Sequence, residues 1–150
     1  ITAQSMGIML CGTVLGAKRG ALAVLLFITL TAFGLPLLSG GRGGLGVFAS
    51  PSVGFIVGFP LAAFVAGWIT SKLKLINVFY SSLLGAVVGG ILILYIPGIV
   101  GMSIILDKSI SEAALIALIY LPGDCIKAFI CAMLTHTLFK LRPENVLSRI

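Results

Sequence analysis

The sequence predicts an all-α protein, a polytopic helical bundle embedded in a membrane. Three observations carry this. Of 150 residues, 59% are hydrophobic and only 9% are charged, against about a quarter charged in a soluble domain. Mean hydropathy is +1.23. The apolar residues also come in long runs, separated by short basic or glycine-rich breaks. A helical span takes about 20 apolar residues, so the length allows about four to six spans in one bundle. The whole chain, 1–150, reads as a single membrane-embedded domain.

The runs follow in order. Residues 1–15 are apolar but short for a span, and stop at Gly16-Ala17-Lys18-Arg19-Gly20. Residues 21–38 make a full span, weakened at the far end by Gly34 and Pro36. A glycine-dense loop follows, Ser39-Gly40-Gly41-Arg42-Gly43-Gly44-Leu45-Gly46. Residues 53–69 form the next span, ending near Lys72 and Lys74. Residues 76–96 follow, closed by Pro97-Gly98, and 99–106 are too short to cross. Residues 109–120 read as an amphipathic or surface helix, with Ser111 and Glu112 near its start. Pro122-Gly123 breaks the chain again, and 124–138 make the last span, ending at Lys140 and Arg142. The chain opens on Ile1 rather than Met, with no charged n-region or cleavage site. A missing N-terminal piece is therefore expected.

The basic residues orient these pieces. Lys18 and Arg19, Lys72 and Lys74, and Lys140, Arg142 and Arg149 make three clusters. All three fall on the inner side if 1–15, 21–38, 53–69, 76–96 and 124–138 cross and 109–120 lies on the outer surface. The Arg42 loop and the start of the last helix then share the outer side. Scattered at segment ends, the basic residues form no stripe for nucleic acid.

Small residues recur at helical spacing: Gly54, Gly58, Ala62 and Ala66, then Gly85 and Gly89, and Gly12 and Gly16. Such stripes let helix backbones approach closely, and packing within one bundle is the expected use. Cys11, Cys125 and Cys131 lie in apolar segments without metal-ligand spacing and read as small packing residues. There is no nucleophile motif, no phosphate-cradling loop and no metal set. Neither an enzyme nor a cofactor is expected.

One pair of residues stands apart. Asp124 and Lys127 are three apart on one helical face in an apolar segment. Charges are costly in hydrocarbon and by default mark a functional site. One reading is structural: Asp124 caps the helix start after Pro122-Gly123 and pairs with Lys127. The other is a small-molecule site, in which the carboxylate accepts ligand N–H groups and the ammonium binds an anionic group. That suits an amphipathic organic acid bearing N–H donors. Arg42, flanked by Gly41 and Gly43 in a loop able to fold down as a lid, is a second cation on that side. Gln4 faces either the same cavity or water. Phe55, Phe48 and Tyr80 are candidates to line an apolar pocket.

Three stretches resemble the BioY family, the biotin-specific S component of energy-coupling factor (ECF) transporters. They are Thr2-Ala3-Gln4 running to Leu15-Gly16, then Gly40-Gly41-Arg42-Gly43-Gly44-Leu45-Gly46 through Pro51-Ser52-Val53-Gly54-Phe55, and Leu121-Pro122-Gly123-Asp124-Cys125-Ile126-Lys127. The resemblance implies a six-helix S-component bundle whose first helix has no counterpart here. It implies a multi-pass protein of the prokaryotic plasma membrane, with biotin near the outer face. It further implies that Asp124 contacts the ureido ring and Lys127 the valerate carboxylate, with Arg42 on the lid loop. Partners would be an ECF transmembrane coupling subunit and ATPase subunits. Two positions depart from the family pattern: Phe55 stands where Tyr is common, and Val53 replaces a usual Gly. An S component for another small amphipathic acid, and a structural membrane subunit without a ligand, are the competing expectations.

Overall fold

The computed structural model describes residues 2–150. Ile1, where the first expected span begins, lies outside them. The chain is helical, with no named strand among the described residues and one isolated bridge, Leu38 to Arg42. Its helices are α1 (Gln4–Leu15), α2 (Ala17–Ala32), α3 (Val53–Lys72), α4 (Val78–Val87), α5 (Leu94–Leu106), α6 (Ile110–Leu118) and α7 (Leu121–Leu141). A π-helical segment, Val88–Ile93, joins α4 to α5 without a break.

Helix α3 is the centre of the bundle and packs against α1, α2, α4 and α5, while α7 packs against α4 and α1. The small-residue stripes make this possible. A side chain added at Gly89 would put its Cβ 2.5 Å from Ala62 O, and one at Gly85 would sit 2.5 Å from Ala66 O. One at Gly58 would lie 2.6 Å from Pro97 Cγ. The stripes are thus used inside one bundle, where close backbone approach replaces the hydrophobic drive that lipid cannot supply. Large apolar side chains such as Leu22, Leu26, Val57, Leu92, Ile96 and Ile104 stay on the outside. A surface of that kind calls for lipid rather than water.

Among the described residues, two helices are long and apolar enough to cross a membrane, Val53–Lys72 and the continuous Val78–Leu106; α6 with α7, bent by 53°, makes a third if counted as one span. The expected stop at Pro97-Gly98 is corrected by this: the helix runs on to Leu106 with Pro97 inside it. Pro97 removes one N–H donor, but its ring packs over Gly58 of α3. In hydrocarbon, stopping there would leave several backbone groups unpaired, a larger cost than one missing bond. Helix α2 also ends earlier than expected, at Ala32, and the chain from Phe33 onward joins the loop. Helix α7 begins at Leu121, so Pro122-Gly123 lies within its first turn rather than before it. Proline fits there because the first-turn N–H groups have no intrahelical acceptor. Helix α6 starts as a capping box, with Ser109 and Glu112 bonded reciprocally. Cys131 is buried and Cys11 half-buried as packing residues, but Cys125 is exposed.

The basic end of the bundle is fastened. Arg149 donates to the carbonyls of Thr70, Leu73, Lys74 and Ile76 and to Ser81 Oγ, at 2.6 to 3.2 Å. It thereby satisfies carbonyls left open at the C-terminus of α3. Ser148 Oγ donates to Thr13 O, and Lys74 Nζ lies 2.7 Å from Ile150 O. The turn after α1, the α3–α4 corner and the C-terminal segment are therefore tied together, as the common side of the basic clusters requires.

Candidate functional site

A cavity of about 580 Å³ opens at the opposite end of the bundle, within the range typical of small-molecule sites. Its wall includes Gln4 and Ser5 of α1, Ser39 and Arg42 of the loop, Phe55 and Phe59 of α3, and Leu94, Met102 and Leu106 of α5. Ile116, Ile119, Tyr120, Asp124 and Lys127 close it from α6 and α7. The lining is mostly apolar, with a few polar groups converging on it.

Those polar groups form one connected set. Lys127 Nζ lies 2.8 Å from Asp124 Oδ1, and the two side chains are 13% and 8% exposed. Both charges are thus largely withdrawn from water and each needs further partners. Ser5 supplies them from α1: its Oγ donates to Asp124 Oδ1 at 3.0 Å and accepts from Lys127 Nζ at 3.0 Å. Tyr95 supplies another from α5: its Oη donates to Asp124 Oδ2 at 2.7 Å. Three elements far apart in sequence are therefore joined at one carboxylate. The expected cap at Asp124 is not made. Tyr120 stands at the N-cap position with no side-chain cap bond, and Asp124 is the fourth helical residue, turned inward to Ser5 and Tyr95.

Of the remaining expected residues, Gln4, Arg42 and Phe55 reach the cavity. Phe55 carries no hydroxyl, but its ring meets Tyr95 edge-on at 6.0 Å. Gly41 and Gly43 do not line the cavity; they shape the loop that carries Arg42. Gly40, Gly41 and Gly44 have φ of +79°, +69° and +84°, conformations that glycine adopts without strain. A side chain at Gly43 would collide with the Leu35 carbonyl. Gly44 N–H donates to Thr31 O at 2.7 Å, fastening the loop to the end of α2. Arg42 Nε donates to Ser39 O at 3.2 Å, and the guanidinium has no carboxylate partner among the described residues. Phe48 packs against the core instead of the cavity. Tyr80 is exposed and packs against Phe79.

Sequence reasoning missed Ser5 and Tyr95. A serine and a tyrosine in apolar runs carry no local signal. The available clue was arithmetic: a buried carboxylate has about four acceptor positions, and Lys127 alone fills one. No group of three or more His, Cys, Asp or Glu able to hold a metal occurs among the described residues.

The arrangement suits binding rather than bond chemistry: an apolar chamber, a hydrogen-bonded ion pair in its wall, and a cation on a glycine loop. Comparison with known proteins points the same way. The sequence model of the BioY family matches residues 1–144. The biotin transporter BioY of Rhodobacter capsulatus is 44% identical over 158 residues, covering 99% of this chain and 83% of that protein. The biotin transporter BioY of Rhizobium etli is 46% identical over 141 residues, covering 89% and 74%. Among solved structures, the S-component for biotin from an ECF-type ABC transporter matches with a TM-score of 0.87 at 31% identity, covering 93% of this chain and 75% of that one.

Proposed function

The chain belongs to the BioY family, and we propose that it is a biotin-capture and uptake subunit of an ECF-type transporter. It is a transport protein and not an enzyme. Energy would come from ATPase subunits acting through a transmembrane coupling subunit, and the bundle would sit in the cell membrane with its cavity outward.

The observation that carries the reading is the buried Asp124–Lys127 pair set into the wall of a 580 Å³ cavity. Biotin has a ureido ring that both donates and accepts hydrogen bonds, an apolar body, and a carboxylate at the far end. Asp124 accepts a ring N–H. Lys127 still has one N–H after serving Asp124 and Ser5. Because its ammonium stands 2.8 Å from Asp124, the geometry favours that N–H reading the same ligand end, at the ureido oxygen. Arg42 then takes the carboxylate, since among the described residues its guanidinium is a cation on the wall without a carboxylate partner. Phe55, Phe59 and Met102 provide apolar contact for the body between them.

Biotin binding to the full-length protein tests this directly, by equilibrium dialysis with lipoate and pimelate as competitors. Saturable binding displaced by unlabelled biotin and not by the other acids supports it. Displacement by lipoate or pimelate at equal concentration assigns the site to another acid, and absence of binding leaves a structural subunit.

A further inference from the structure

We infer that Tyr95 is a positioning residue for ligand recognition, leaving Asp124 a single acceptor position for one ligand N–H. This deepens the biotin reading above and rests on it.

The argument is a count of lone pairs. An ionised carboxylate offers about four acceptor positions, two on each oxygen. Asp124 Oδ1 accepts from Ser5 and from Lys127, and so is filled. Oδ2 accepts from Tyr95 at 2.7 Å, and no second donor reaches it among the described residues. One position on Oδ2 is left, on a side chain that lines the cavity. Tyr95 is 9% exposed and is not part of the lining. It stands behind Asp124 and holds the carboxylate plane from the rear, while its ring is fixed edge-on against Phe55.

The backbone aims this hydroxyl. Tyr95 is the second residue of α5, directly after the π-helical segment Val88–Ile93. A π turn adds a residue to the helix, and each residue turns the downstream face by about 100°. With α-helical geometry through 88–93, position 95 would be turned by about 100° away from its present direction toward Asp124. The segment contains Gly89 and Gly90, which allow close contact with α3 and with Met9 of α1. The register shift is thereby locked into the packing.

The test is Tyr95→Phe, which keeps the ring and deletes the hydroxyl, measured against biotin and against biotin methylated on both ureido nitrogens. Biotin affinity should fall roughly tenfold, the usual scale for a hydrogen bond to a charged group, while the methylated analogue, which cannot donate to Asp124, should be unaffected. In an Asp124→Asn background, Tyr95→Phe should cost nothing further. An equal loss for both ligands, or the same loss in the Asp124→Asn background, would make Tyr95 merely structural and overturn the inference. So would unchanged biotin affinity in Tyr95→Phe. Failure of the unsubstituted protein to bind biotin overturns the underlying reading instead, and this inference with it.

Discussion

Asp124 and Lys127 are bonded to each other at 2.8 Å, one turn apart on α7, and both are held by Ser5 of α1. The pair is therefore a preassembled unit, which under the proposed function a ligand would meet as a whole. Its charges are stabilised mutually, and only the positions that the pair leaves over would be open to a ligand.

Removing one partner should be severe. Lys127→Ala leaves a buried carboxylate without its counter-ion, and biotin binding is expected to fall more than about a hundredfold. Equilibrium dialysis with labelled biotin measures it. Unchanged affinity would remove Lys127 from the site.

Exchanging the partners separates structure from recognition. With Asp124→Lys and Lys127→Asp together, Ser5 can still bridge, since its hydroxyl both donates and accepts, and Tyr95 Oη can accept from an ammonium. The bundle is expected to stay folded in detergent by size-exclusion chromatography, yet bind no biotin. Retained binding would mean that the pair only fastens helices.

Arg42 is expected to act on the carboxylate alone. Arg42→Ala should weaken biotin roughly tenfold or more and leave the methyl ester of biotin unaffected. Isothermal titration of both ligands reads the difference. An equal loss for acid and ester would give Arg42 a role in loop shape only.

Arg149 should matter for stability and not for binding. Arg149→Ala opens carbonyls at the end of α3, with an expected cost of about 2 to 3 kcal/mol, seen as a lower thermal unfolding midpoint. Biotin affinity should hold, because the cavity is at the other end of the bundle. A large change in affinity would show the two ends to be coupled.

Much of the candidate site's lining was legible because charge in an apolar run is conspicuous. Asp124 and Lys127 announced themselves by cost, and Arg42 by the density of the glycines around it. The three basic clusters were equally conspicuous, and Lys74 and Arg149 from two of them meet at one end of the bundle. Tyr95 and Ser5 were not, because their value lies in contacts across the bundle, to a residue 29 and 119 positions away. Pro97 misled for a related reason. Its local signal is to end a helix, and only the groove at Gly58 and the dry surroundings make continuation cheaper. The π segment had no signature beyond Gly89-Gly90, a pair equally suited to plain close packing. Where several elements share one atom or one seam, a single stretch of sequence holds only part of the reason.

The Arg149 clamp gives the molecule a mechanical polarity. At one end a guanidinium gathers five acceptors from the α3–α4 corner; at the other, a loop with positive-φ glycines is pinned to α2 by Gly44 and carries Arg42 to the cavity. Under the proposed function a guest would enter at the glycine-loop end, and the fastened base would serve as a handle at the other.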